Sequence, residues 1–174
     1  MNADKRRWEF YEAFDLGPTL SVDAEDLKKR FYERSRQWHP DKFSRASLEE
    51  QEKALEMTAV LNDAFRTLRD PVARAEYFLK EKGIELSKEA PPELLEEVFE
   101  LNMALEELRD GDDSARPQLV QARERFVAMR DSIDKALAAA GAKSEPPLEE
   151  IRAMLNRRRY IRNLIRDVEN VLPN

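Results

Sequence analysis

The chain has 174 residues, 38% of them charged and 41% hydrophobic, with a net charge of −6 and only 4 glycines. Such a balance disfavours a general nucleic-acid binder, which needs a basic excess. It also disfavours folds built on glycine-rich phosphate loops, whose backbones need φ > 0. With no cysteine and a single histidine, His39, disulfides and thiolate metal sites are excluded and a histidine metal site is not expected.

The opening “MNADKRRWEF” carries charges with no apolar core behind them, so it does not read as a secretory signal. No run is apolar enough to cross a bilayer, and a soluble intracellular protein is expected. Apolar positions recur at helical spacing along nearly the whole chain, so the expected fold class is all-α.

A short first helix is predicted over Trp8 to Phe14. Ser21 or Asp23 can cap a second helix with Leu27, Phe31 and Trp38 on its inner face. Pro40 ends that helix near Trp38, because proline biases the residue before it away from helical φ/ψ and lacks an amide hydrogen. A third helix is predicted from Leu48 to Leu68, with Met57, Leu61, Ala64, Phe65 and Leu68 in one stripe. Asp70-Pro71 closes it and starts a fourth, for which Gly83 supplies a C-terminal stop.

“LSKEAPP” reads as a linker or elbow over residues 83–92. Beyond it, helices are predicted over 92–109, 115–140 and 147–172, separated by “GDDS” and “GAKSEPP”. Their stripes are Leu94, Val98, Leu101, Leu105 and Leu108; then Leu119, Ala122, Phe126, Met129, Ile133 and Ala136; then Met154, Ile161, Ile165, Val168 and Leu172. Short loops between such stripes imply an antiparallel three-helix bundle. Six glutamates and no basic residue lie between Glu93 and Leu108, and six arginines and no acid between Ile151 and Arg166. Faces of that kind attract weakly and help to set register.

“SRQWHPDKFS” holds His39, Pro40 and Asp41. A His two residues from an Asp can belong to an acid–base dyad, but no nucleophile motif or phosphate loop accompanies it. The plain alternative is a helix-terminating turn. The proline would hold His39 and Asp41 outside the helix, where Asp41 can accept charge-assisted hydrogen bonds from an arginine of another protein. The preceding helix presents Lys28, Lys29, Arg30, Arg34 and Arg36 around the single acid Glu33. That is either a solvated face or a surface that steers an acidic partner.

The order of basic helix, HPD turn, long helix and short helix, with “LKKRFYERSRQWHPDKF”, resembles the J domain over roughly residues 8–82. J domains are the co-chaperone modules of DnaK-type (heat-shock-70 class) chaperones. The resemblance implies that the HPD loop contacts the chaperone's nucleotide-binding domain and promotes ATP hydrolysis. It assigns that role to His39, Pro40, Asp41 and Lys42, joined by Lys28 and Arg36. Arg34 departs from the pattern, standing where J domains usually place a core leucine, and Tyr32 and Glu33 stand where many have basic residues.

“AVLNDAFRTLRDPVARAEYFL” resembles the third and fourth helices of HscB-type co-chaperones, which join a J domain to a C-terminal helical bundle. The implied organisation is a J domain over 1–82, an elbow over 83–92 and a client-binding bundle over 93–174. The implied partners are a DnaK/HscA-type chaperone and an IscU-type iron–sulfur scaffold, with no enzyme activity, cofactor, nucleic acid or membrane. The cysteine zinc module of some eukaryotic relatives is absent, which suits a bacterial cytoplasmic form.

In the first bundle helix, Leu95, Phe99 and Met103 form an i, i+4, i+8 row off the core stripe, flanked by Glu96, Glu100, Glu106 and Glu107. Such a row either packs on another part of the chain or binds a partner. The resemblance assigns client binding to Leu95, Glu96, Phe99, Glu100, Met103 and Glu107, with Tyr160 of the last helix. Met103 stands where the family often has glutamate. A J protein for a different client, with the bundle as a dimerisation or interaction module, is the competing reading. RNA binding by “NRRRYIR” is a further alternative to its facing the acidic helix.

Overall fold

A computed structural model describes residues 7–172, and every regular element among them is helical. The segment 1–6, which carries most of the charged opening, and residues 173–174 lie outside the described residues. Two compact units are present. One runs to Ile84 and takes in Gly141–Pro146; the other comprises Glu85–Ala140 and the chain from Pro147 onward.

The first unit holds α1 (Glu9–Glu12), α2 (Ala24–Gln37), α3 (Leu48–Arg69) and α4 (Pro71–Glu81). α1 is shorter than its apolar pattern predicts, because Asp15 turns left-handed at φ 52. The Leu16 N–H then bonds back to the Tyr11 carbonyl at 3.0 Å and ends the helix. Asp23, not Ser21, caps α2 by accepting from the Asp26 amide at 2.7 Å. Ser47 and Glu50 form a reciprocal capping box at the start of α3. Asp70 caps α4, accepting from the amides of Val72 and Ala73. Gly83 at φ 75 lets the Ile84 amide reach the Leu79 carbonyl at 2.9 Å, a Schellman closure that needs the glycine's left-handed backbone.

Tyr11, Phe14, Leu27, Leu61, Leu68 and Leu79 are buried between these helices. Phe31 stacks on Phe65 with ring centroids 4.3 Å apart, pinning α2 to α3. Arg34 takes a part distinct from the leucine usual at its place: it pairs with Asp15 across the α1–α2 loop. Arg30 likewise turns inward and donates to the Phe14 carbonyl at 2.9 Å. Arg74 is buried and donates to the Leu68 carbonyl at 2.7 Å, satisfying an open acceptor near the end of α3.

Burial pushes the Tyr11 phenol above its ordinary range, and pushes Tyr77 up to about 12. A raised folded-state pKa contributes stability below the unfolded value and loses it as pH rises toward the folded one. Denaturant midpoints are therefore expected to fall from about pH 10 upward. Tyr77→Phe should make that fall shallower, which a pH series of urea melts measures.

The second unit holds α5 (Leu95–Arg109), α6 (Arg116–Gly141) and α7 (Leu148–Glu169) in a three-helix bundle. Short 3₁₀ turns, Pro92–Leu94 and Asp113–Ala115, lead into α5 and α6. Gly111 at φ 93 closes α5 as Gly83 closes α4. Leu101 and Leu105 of α5, Leu119 and Phe126 of α6, and Ile161 and Val168 of α7 form the core as their stripes predict. At the end of α6 the stripe corrects itself: Ala136 is exposed and Leu137 and Ala140 are buried. Met154 of α7 is only half-buried, while Ile151, Leu155 and Leu164 fill the interior.

The expected attraction to α7 comes from Glu93, on the 3₁₀ turn that leads into α5, which lies 3.7 Å from Arg157. Arg158 turns instead to Asp134 of α6. Arg157 and Arg158 of “NRRRYIR” thus each meet a carboxylate within the bundle.

Candidate functional site

Two surfaces carry the singled-out residues, one on each unit. On the first, α2 ends at Gln37 and Pro40–Phe43 form a single 3₁₀ turn. His39 precedes it at φ −60, ψ 128, the extended backbone that a residue before proline prefers. Its Nδ1 accepts the Asp41 amide at 3.3 Å.

The turn has a firm base. Trp38 stacks on Phe43, centroids 5.8 Å apart and planes 7° from parallel. Lys53 of α3 lies over the Trp38 ring at 5.7 Å, and the Thr58 hydroxyl, 2.8 Å from the Ala54 carbonyl, also lies 3.2 Å from the Trp38 carbonyl. Above that base the polar tips are open: the His39 side chain is 59% exposed and that of Asp41 91%. The Asp41 carboxylate lies 3.6 Å from His39 Nδ1 and has its remaining lone pairs free for another molecule.

Arg36, His39, Asp41 and Lys42 line one shallow depression with Tyr32 and Ser35. Tyr32 and Ser35 are additions that the motif did not single out. Lys28, Tyr32 and Arg36 stand four residues apart, so one exposed row of α2 leads to the turn. Arg30 and Arg34 are spent on the α1–α2 loop. The open cations of this helix are Lys28, Lys29 and Arg36. An open carboxylate, an exposed imidazole and nearby cations surround an apolar dent.

On the second unit, Leu95 is 56%, Phe99 68% and Met103 46% exposed, so this row stays out of the bundle's interior. Phe99, Glu100, Met103 and Glu107 line a groove between α5 and α6, together with Glu97. Its other wall is α6, through Gln118, Gln121 and Arg125, which the α5 pattern did not reveal. Their signal lay in their spacing, i, i+3 and i+7 beside the buried Leu119/Ala122/Phe126 stripe. Leu95 and Glu96 stand exposed on α5 outside the groove, and Tyr160 is half-buried on α7, not among the groove's lining residues.

Among the described residues no helix is long and apolar enough to cross a membrane, and no cluster of three or more His, Asp or Glu has metal-binding geometry.

Comparison with known proteins bears on both surfaces. A DnaJ domain family matches residues 9–77, and the HSCB C-terminal oligomerisation domain family matches residues 90–169. A co-chaperone protein HscB homolog from Shewanella loihica is 32% identical over 165 residues, 92% of this chain and 95% of the relative. The chain belongs to the HscB co-chaperone family. An HscB homolog from Neisseria meningitidis is 37% identical over 111 residues, 60% of this chain and 66% of the relative. Among solved structures, chaperone HscB from Vibrio cholerae aligns with TM-score 0.64 at 31% identity, covering 93% of this chain and 96% of that one. Human co-chaperone HscB aligns with TM-score 0.68 at 25% identity, covering 97% and 83%. The HPD turn thus belongs to the J domain of an HscB-family chain, and the α5 row lies within its HscB-type C-terminal domain.

Proposed function

We propose that this HscB-family chain is an adaptor of iron–sulfur protein maturation. It binds an IscU-type scaffold, brings it to a DnaK/HscA-type chaperone and stimulates that chaperone's ATPase, performing no chemistry itself. Residues 1–82 serve the chaperone and 93–174 the scaffold, with 83–92 joining them. His39, Pro40, Asp41 and Lys42 engage the chaperone, and Lys28 and Arg36 steer its approach. Leu95, Glu96, Phe99, Glu100, Met103 and Glu107 engage the scaffold, with Tyr160 from α7. Holding both partners on one chain raises the scaffold's effective concentration at the chaperone.

The observation that carries this reading is the placement of two exposed surfaces on two separate units. One is an HPD turn with an exposed carboxylate; the other is an apolar row exposed on its own unit. A pull-down with the full chain from the source cell tests it. Recovery of an IscU-type scaffold and a DnaK-type ATPase supports the adaptor, and recovery of neither contradicts it. The match of residues 90–169 to an oligomerisation domain family favours a second reading, in which the α5 row pairs two copies. Recovery of the tagged chain with an untagged copy of itself, and no scaffold, would support that reading.

A further inference from the structure

The groove between α5 and α6 is unequally charged. Glu97, Glu100 and Glu107 line it from α5, and the one cation in its lining is Arg125 of α6. Carboxylates spaced along one helix repel each other, and a bound cation relieves that repulsion. Arg125 supplies one only loosely: its Nη2 is 4.0 Å from Glu100 Oε2, with both side chains exposed. The floor beneath includes Ala104 and Ala122, both buried, and their small side chains leave room above them.

We infer that this groove takes a partner segment that sets a basic side chain against Glu100 and an apolar one over the Ala104/Ala122 floor. Arg125 is the internal cation that competes for Glu100 in the free protein. The inference rests on the reading of the α5 row as the scaffold surface, and it makes α6 a second, specificity-determining wall. A partner with a lysine or arginine at the matching place displaces Arg125; one with an acid there meets three carboxylates and is refused.

Calorimetric titration of the full chain with the apo-scaffold of the source organism tests it. Arg125→Gln should tighten binding about threefold, the scale of one exposed ion pair. That gain should vanish when Glu100→Gln is already present. Gln121→Trp, which overhangs the floor from α6, should weaken binding about tenfold. Unchanged or weaker binding by Arg125→Gln overturns the inference. If Phe99→Ala still weakens binding in that case, the α5 reading stands without it. Wild-type chain that does not bind the scaffold at all overturns both. Arg125 and Gln121 are exposed, and a thermal melt matching wild type certifies each variant; should Gln121→Trp fail to fold, the Arg125→Gln pair of measurements decides alone.

Discussion

Asp41→Asn is expected to cut stimulation of the DnaK/HscA-type ATPase by about 10- to 100-fold, the worth of one charge-assisted hydrogen bond of roughly 1.5–3 kcal/mol. The substitution keeps the shape of the side chain and removes its charge. It leaves the turn intact, because Asp41 contributes its backbone amide to His39, and asparagine retains that amide. With the Asp41 side chain 91% exposed, the fold loses almost nothing, and a melting temperature within a degree or so of wild type is expected. Single-turnover hydrolysis measured across a range of co-chaperone concentrations separates the two effects. Full stimulation by the variant would remove Asp41 from the trigger.

Phe99→Ala combined with Tyr160→Ala is expected to weaken scaffold binding by about 30-fold or more, the loss typical of an aromatic anchor worth at least 2 kcal/mol. Phe99 is 68% exposed, so its removal opens no cavity in the bundle. Tyr160 is half-buried, and the single Phe99→Ala variant therefore separates loss of contact from loss of packing. The same variants should leave stimulation by the chain alone unchanged, because the HPD turn belongs to the other unit. Unaltered affinity of Phe99→Ala by calorimetry would contradict the assignment of the α5 row.

Local signals account for what could be read from the residues. Asp70-Pro71 and Gly83 marked helix ends because capping is a property of a few neighbouring residues. Pro40 marked the turn for the same reason. The off-stripe row of α5 was visible because period and polarity on one helix predict a face.

Relations between helices were not legible in that way. Ala136 yielded to Leu137 because a heptad reading drifts from the true helical period over a helix as long as α6. Arg34 was an anomaly in the sequence, and its partner Asp15 lies on a left-handed turn that no periodicity announces. The α6 wall of the groove depends on the register of α6 against α5, so Gln118, Gln121 and Arg125 gave only a shoulder of polar residues. Complementary charge counts on α5 and α7 overstated their pairing, since Arg158 found Asp134 on α6.

The central claim is that one chain couples a scaffold surface to a chaperone trigger. Single-turnover ATP hydrolysis by the DnaK/HscA-type chaperone, with chain and scaffold added separately and together, tests it most directly. Chain and scaffold together are expected to stimulate more than the sum of each alone. Phe99→Ala should lose only that excess, and Asp41→Asn should cut the stimulation by about 10- to 100-fold, with or without the scaffold. Equal hydrolysis with and without the scaffold, or an excess that survives Phe99→Ala undiminished, would contradict it.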